Sequence, residues 1–537
     1  MNRWRGNPWA ILCALSLGFF MTLLDLTIVN IAIPDMVDKL NASLDQVLWV
    51  VNAYALALAV LLITAGRLGD LRGKRTLYLS GVALFTLASL ACGLAQGPGQ
   101  LIAFRALQGA GAAMLIPQTL SMIVEVFPKE KRGVALGVWG ATAGMSGAAG
   151  PSLGGLVVSR LDWRWIFFIN VPLGVLVIVL GLLVMPAARR TVRHRFDLPG
   201  VVLASTALFS LAFGLIEGER YDWNGGIKAT LAASAVLMTI FVVYQRGQQD
   251  NEPLVPFALF KERAFTVVNF VGVAVSFGIV GLSLPLTIYL QSVLGLSPVK
   301  AGLMMLPLAV GSVISAGPAG VLSERIGSKY LLMGGLTAFG GGLVWIVLVA
   351  GAGSGGGSVV LAPMFVIGLG AGCTFTPMAG EVMRNVPAAL SGAASGVNNA
   401  LRQVGSVLAA AVIGAVLQER LVTALREQAQ QRAGEVPAAY RSGFVQGFDQ
   451  AGKHLEISGG TRPPAGLPAD VAHRIDTVAA QVFGHGFVDA MRPTMLVSAG
   501  VLAAGVAACL LLKTVRGPSE NPHGLPVAEE TPVPQHG

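Results

Sequence analysis

Apolar residues run along this chain in blocks, each broken by a short polar turn that is often basic or glycine-containing. A helix that crosses a bilayer needs about 20 mainly apolar residues. Blocks of that kind predict spans near 9–33, 46–66, 76–96, 101–124, 133–158, 166–186, 199–217, 228–246, 265–290, 301–322, 331–350, 359–379, 390–417 and 492–513. The expected fold class is therefore all-α integral membrane, with fourteen transmembrane helices. Glycine and proline are frequent inside the blocks, which membrane helices tolerate because close packing and neighbouring groups compensate.

Composition sharpens this. Of 537 residues, 54% are apolar and 12% charged, and the mean hydropathy is +0.68. A soluble domain carries roughly 25% charged residues, so this chain lacks the charge to cover a water-facing surface. The net charge of +9 does not point to nucleic acid, because Lys and Arg sit in short clusters between apolar blocks. The cysteines (Cys13, Cys92, Cys373, Cys509) show neither metal spacing nor a disulfide framework. The six histidines all fall in polar connections or the tail, which argues against intramembrane catalysis and against a metal site. The first block is long for a signal core, lacks a small-x-small cleavage site and contains Asp25, so it reads as a retained helix.

The positive-inside rule sets an expected orientation. With the N-terminus inside, twenty-one Lys and Arg fall in short cytoplasmic connections and six in the short outer ones. Both termini are then cytoplasmic. Residues 418–491 become a long outer loop whose first part, LQERLVTALREQAQQR, is amphipathic and suited to continue as helix. The expected units are 1–186, a six-helix bundle; 187–264, two inserted helices with linkers; 265–517, a second six-helix bundle including that loop; and 518–537, a Pro-rich disordered tail.

Two turns repeat at an offset of 254 residues. Gly66-Arg67-Leu68-Gly69-Asp70-Leu71-Arg72-Gly73-Lys74-Arg75 and Gly320-Val321-Leu322-Ser323-Glu324-Arg325-Ile326-Gly327-Ser328-Lys329 share the pattern G-x-L-small-acid-x-x-G-x-basic. One follows span 2 and the other span 10, as a duplicated six-helix unit with two helices inserted between its copies requires. Transporters commonly place their substrate site between such halves.

Further motifs follow in order: Leu24-Asp25-Leu26-Thr27-Ile28-Val29-Asn30 in span 1, Arg105-Ala106-Leu107-Gln108-Gly109 in span 4, Gly147-Ala148-Ala149-Gly150-Pro151 in span 5, Trp163 to Pro172, and Tyr289-Leu290-Gln291. Together they resemble the major facilitator superfamily, specifically its fourteen-helix drug:proton antiporter branch, over about 9–417 and the last span. The 418–491 loop lies outside the resemblance. The resemblance implies alternating access, no cofactor beyond the proton motive force, and Arg105 in proton coupling. It also implies that the 66–75 turn stabilises one state and breaks in the other.

Asp25 is the expected proton carrier. An ionised carboxylate inside a spanning helix is costly and ordinarily faces a cavity; burial disfavours its charge and a neighbouring cation favours it. The plain structural alternative is an Asp bonded to Thr22 or Asn30. At 1.5 Å per residue, Asp25 and Arg105 lie roughly 13 and 7 Å from the outer side, close enough for Arg105 to sense Asp25 directly or through Gln108. The scheme requires Asp25 to reach a water-accessible vestibule. Asp70 with Arg72, Lys74 and Arg75 is expected to form a charged clasp, with Glu324 and Arg325 a weaker second one. Gly150-Pro151 is expected to act as a hinge or a seal between halves. Arg402 sits mid-span with no acid in its helix, so it either pairs across the bundle, meets carbonyls or holds an anionic group. Asn30, Trp49, Tyr54, Gln108, Phe277, Tyr289 and Arg402 are the expected cavity residues, and Glu217 and Glu381 read as span-end interface acids.

The expected activity is proton-driven export of small amphiphiles across a bacterial inner membrane. Substrates are expected to be neutral, zwitterionic or monocationic, with anions admitted through Arg402. The partners are then substrate, protons and the lipid bilayer, with no nucleic acid. The chain is expected to act as a monomer, and a periplasmic adaptor is left open. An exporter of a dedicated lipid, siderophore or endogenous metabolite is the main alternative. A nutrient importer and a membrane enzyme or sensor are weaker ones.

Overall fold

The computed structural model describes residues 5–40, 42–186, 197–218, 220–251, 253–353, 355–453 and 469–513. The expected tail, and part of the expected 187–264 and 418–491 segments, lie outside the described residues.

The spanning helices are α1 (Pro8–Ile31), α2 (Leu44–Arg72), α3 (Lys74–Gly93), α4 (Pro98–Val126), α5 (Lys129–Arg160), α6 (Asn170–Val184), α7 (Leu198–Glu217), α8 (Gly225–Gly247), α9 (Arg263–Ile288), α10 (Leu306–Ile326), α11 (Ser328–Val349), α12 (Leu361–Met383), α13 (Ser391–Arg432) and α14 (Ala469–Cys509). Thirteen are both long and apolar enough to cross a bilayer, α6 together with the short helix Trp165–Phe168 that precedes it. The other is α5, which has 32 residues but whose many glycines dilute its hydropathy. Polar caps start several of these helices where they leave water. Ser43 and Gln46 form a reciprocal capping box on α2. Asn7, Asp197 and Asn224 accept from the first-turn amides of α1, α7 and α8. Such side chains satisfy amides that have no partner inside the helix.

Helices α1–α6 pack as one bundle and α9–α14 as another, while α7 and α8 pair with each other and α7 lies against α2 and α13. The bundles meet through α2 with α13 and α5 with α10 and α12. The 254-residue repeat is visible in the backbone. Gly73 (φ 98°) separates α2 from α3, and Gly327 (φ 95°) separates α10 from α11. Positive φ strains any residue with a Cβ, so the turn fixes glycine at both places.

The 418–491 segment is mostly not a loop. α13 continues unbroken to Arg432, a further helix covers Arg441–Lys453, and α14 begins at Ala469. This hairpin buries Leu421, Leu425, Phe444, Phe448, Val482 and Phe487 in a core continuous with that of the bundles. It is tied to the end of the second bundle, where Arg492 donates to the Ala350 carbonyl (3.3 Å).

Candidate functional site

Asp25 lies on α1 and is 0% exposed. Arg105, from the N-terminal half of α4, donates Nη1 to Asp25 Oδ2 in a short ion pair. Gln108, one turn on, donates Nε2 to Asp25 Oδ1 at 2.9 Å and accepts from Arg105 Nη1 at 2.8 Å. Asn170, the first residue of α6, donates to the same Oδ1 at 3.0 Å and to Ser89 Oγ at 3.1 Å. Arg105 Nε donates to the Val50 carbonyl (3.0 Å), and its guanidinium lies 4.4 Å from the Tyr54 ring centre. Cys92 Sγ approaches Gln108 Oε1 at 3.7 Å. Five helices thus converge on one carboxylate. The expected Asp25–Arg105–Gln108 set comes together, and Tyr54 joins it as a cation–π floor.

Three differences matter. Thr22 and Asn30 do not hold Asp25, since each bonds a carbonyl of its own helix, Phe19 and Leu26 respectively. Asn170 is a site residue that its sequence position near a helix start does not reveal. And Asp25 does not face the expected water-accessible vestibule: its side chain is sealed by Arg105, Gln108 and Asn170, so this conformation offers it no path to water.

The charges around Asp70 are arranged differently from the expected clasp. Asp70, at the end of α2, accepts from the Gly392 and Ala393 amides at 2.9 and 2.8 Å, capping the N-terminus of α13 in the other bundle. Helix N-termini carry partial positive charge and free amides, so they bind anions. Lys74 reaches Ser391 Oγ (2.7 Å) and Glu125 (2.9 Å), with Asp70 at 3.9 Å. The expected roles of Arg72 and Arg75 need correction. Arg72 is exposed, with no described bond to Asp70, and Arg75 donates to the Leu182 carbonyl of α6 (3.3 Å). Glu324, the repeat's second acid, accepts from the Gly133 amide of α5 at 3.1 Å. Each bundle therefore extends one acid into the first turns of a helix in the other.

Glycines let these seams close. A Cβ on Gly66 would sit 2.5 Å from the Gly392 carbonyl, and one on Gly133 would sit 2.6 Å from the Gly320 carbonyl. Gly150, by contrast, faces Thr27 and Ile28 of α1 in its own bundle, so it seals helix to helix rather than half to half. The Pro151 side chain lies outside the described residues.

Other expected cavity residues are placed elsewhere. Trp49 packs against Phe213 of the inserted α7, with ring centres 6.0 Å apart. Asn30 is exposed at the end of α1, and Phe277 is half-buried on α9, away from the Asp25 cluster. Tyr289 is buried and donates to the Gly351 carbonyl (3.0 Å), which makes it a tie between connections. Glu217 and Glu381 pair one turn along with Arg220 and Arg384, both at 3.1 Å. Among the described residues no group of three or more His, Cys, Asp and Glu converges as a metal site would require.

Comparison with known proteins agrees with this architecture. A model of the Major Facilitator Superfamily matches residues 15–410. The tetracenomycin C resistance and export protein of Streptomyces glaucescens is 34% identical over 98% of this chain and 96% of its own. Multidrug resistance protein Stp of Mycobacterium tuberculosis is 34% identical over 92% of this chain and 89% of its own. Among solved structures, the human organic anion transporter MFSD10 superposes with a TM-score of 0.58 at 10% identity, covering 94% of this chain and 99% of its own, a likeness of fold. With its duplicated bundles, inserted helix pair and long-range relatives, this chain belongs to the Major Facilitator Superfamily, in the fourteen-helix drug:proton antiporter branch.

Proposed function

We propose that this membrane transporter exports small amphiphilic compounds from a bacterial cell, driven by inward proton flow. The observation that carries the reading is the buried Asp25–Arg105 pair with its Gln108 and Asn170 donors. An ion pair sealed inside a bundle returns little net stability, and intramembrane carboxylates are ordinarily functional. Both termini are cytoplasmic in this reading, so the Asp70 end faces the cytoplasm and is closed. Asp25 then exchanges its proton in a different conformation, when the α1–α4–α6 cluster opens and Arg105 withdraws. Protonation removes the charge that holds Arg105, and substrate release follows. The names of the relatives, resistance and export proteins, support the direction of transport. The protein acts as a monomer in the bilayer without a cofactor, and a periplasmic adaptor is not required by the scheme.

The test is a reconstituted vesicle assay with a pH gradient and a fluorescent amphiphile such as ethidium. Wild type is expected to couple substrate movement to proton counterflow, and Asp25→Asn to abolish that coupling by at least tenfold while substrate binding persists. Intact proton exchange in Asp25→Asn would refute the assignment. A dedicated metabolite exporter on the same scaffold is the second reading, favoured by the single-compound name of the tetracenomycin C relative. It predicts that few unrelated dyes are moved.

A further inference from the structure

Arg402 stands apart from every other charge described above. It lies eleven residues into α13, about 16 Å along the helix from Ser391 and so near mid-depth. Its side chain is half-buried, and Nε is buried without a hydrogen-bond partner. Among the described residues no protein group bonds any nitrogen of its guanidinium, and no carboxylate lies within ion-pair distance. Ser276 of α9 reaches Arg402 only at its backbone carbonyl (3.0 Å).

The site is nevertheless shaped around this side chain. The Phe375 ring of α12 lies 5.2 Å from the guanidinium carbon. Gly272 of α9 leaves space for the stem, since a Cβ there would come within 3.1 Å of Arg402 Cγ. One turn earlier, Asn398 bonds Asn269 of α9 (3.0 Å), which fixes the two helices beside the Arg. Three helices thus hold the stem and one ring face while the N–H fork is left without an acceptor. Arg stays charged in proteins and presents five donors. A charge inside a spanning segment is normally paired, and among the described residues there is no counter-ion for this one.

We infer that Arg402 is the docking point for an anionic group on the transported amphiphile, a carboxylate, sulfonate or acidic phenolate, whose apolar body lies beside Phe375. This rests on the exporter reading and takes the anionic alternative that Arg402 left open over neutral, zwitterionic or monocationic cargo. The first bundle's cation is already committed to Asp25. Arg402, in the second bundle, has no such partner among the described residues.

The experiment uses the full chain in lipid nanodiscs and vesicles with three probes: anilinonaphthalene sulfonate, ethidium and the uncharged N-phenylnaphthylamine. Wild type should bind the sulfonate saturably. Arg402→Gln should weaken that binding at least tenfold and leave the other two probes within twofold. Arg402→Lys should recover part of the loss, because it restores charge without the planar fork. Melting temperatures of both variants report folding. Equal losses for all three probes, no change for the sulfonate, or preference of wild type for ethidium would each overturn the inference. So would binding in which chloride competes and no amphiphilic anion does, tested by exchanging chloride for gluconate. Failure of wild type to move any probe on a pH gradient would instead overturn the exporter reading.

Discussion

At the scale of single residues, the molecule is organised by what each charge has to answer it. Asp25 is met by Arg105, Gln108 and Asn170, so removing one partner leaves a buried charge uncompensated. Loss of one member of such a pair typically costs about 3–5 kcal/mol, whereas removing both costs far less. Arg105→Gln is therefore expected to lower the melting temperature of the purified protein more than the Asp25→Asn, Arg105→Gln double variant does. Additive losses would show that the pair is not coupled as drawn. Asp25, Arg105 and Gln108 were legible in the sequence because polar groups inside apolar blocks are conspicuous and their depths could be counted. Asn170 was not, because an Asn beside a helix start reads equally well as a cap. Arg72 and Arg75 were overread, because a basic turn reveals its charge but not the rotation of the helices that bracket it.

At the scale of elements, glycine decides where backbones touch. Gly66→Val on α2 would drive a side chain into the Gly392 carbonyl of α13, with the first added carbon only 2.5 Å away. Transport by this variant is expected to fall at least fivefold in the vesicle assay. Gly334→Ala on α11, where an added carbon meets nothing within 4 Å, should transport normally. It should also gain up to about 1 kcal/mol, because Ala is the better helix former. Equal behaviour of the two variants would remove the seam argument. The spans themselves were readable, since block length and composition suffice to define a membrane helix. The true extents of α13 and α14 were not, because past the bilayer their sequences turn polar and amphipathic. There, helix shows as periodicity rather than as hydropathy.

At the scale of the whole molecule, duplication makes the closure reciprocal. Asp70 caps α13 and Glu324 reaches an amide in the second turn of α5, so each bundle holds the other by an acid near the start of a helix. Contacts of this kind are worth about 0.3–2 kcal/mol each, enough to bias a conformational equilibrium without locking it. Asp70→Asn and Glu324→Gln are each expected to raise the reactivity of a cysteine placed at the buried Ser395, in a background lacking the native cysteines. The double variant should raise it most. Unchanged reactivity in the double variant would show that these acids do not hold the end shut. The repeat was legible as six matched positions in a stretch of ten, but that each acid crosses to the opposite bundle follows only from three-dimensional packing.

The hairpin beyond the second bundle behaves as a pointer. α13 runs without interruption from the seam at Gly392 to Arg432, and the fifteen residues after Leu417 add about 22 Å of stiff rod. A rigid swing of the bundle by roughly 15°, of the size known for subunit rotations, would carry the rod's tip sideways by about 6 Å. In the proposed alternating-access cycle the rod would carry that internal state to the aqueous face, and a molecule gripping the tip would slow the cycle without touching the cargo.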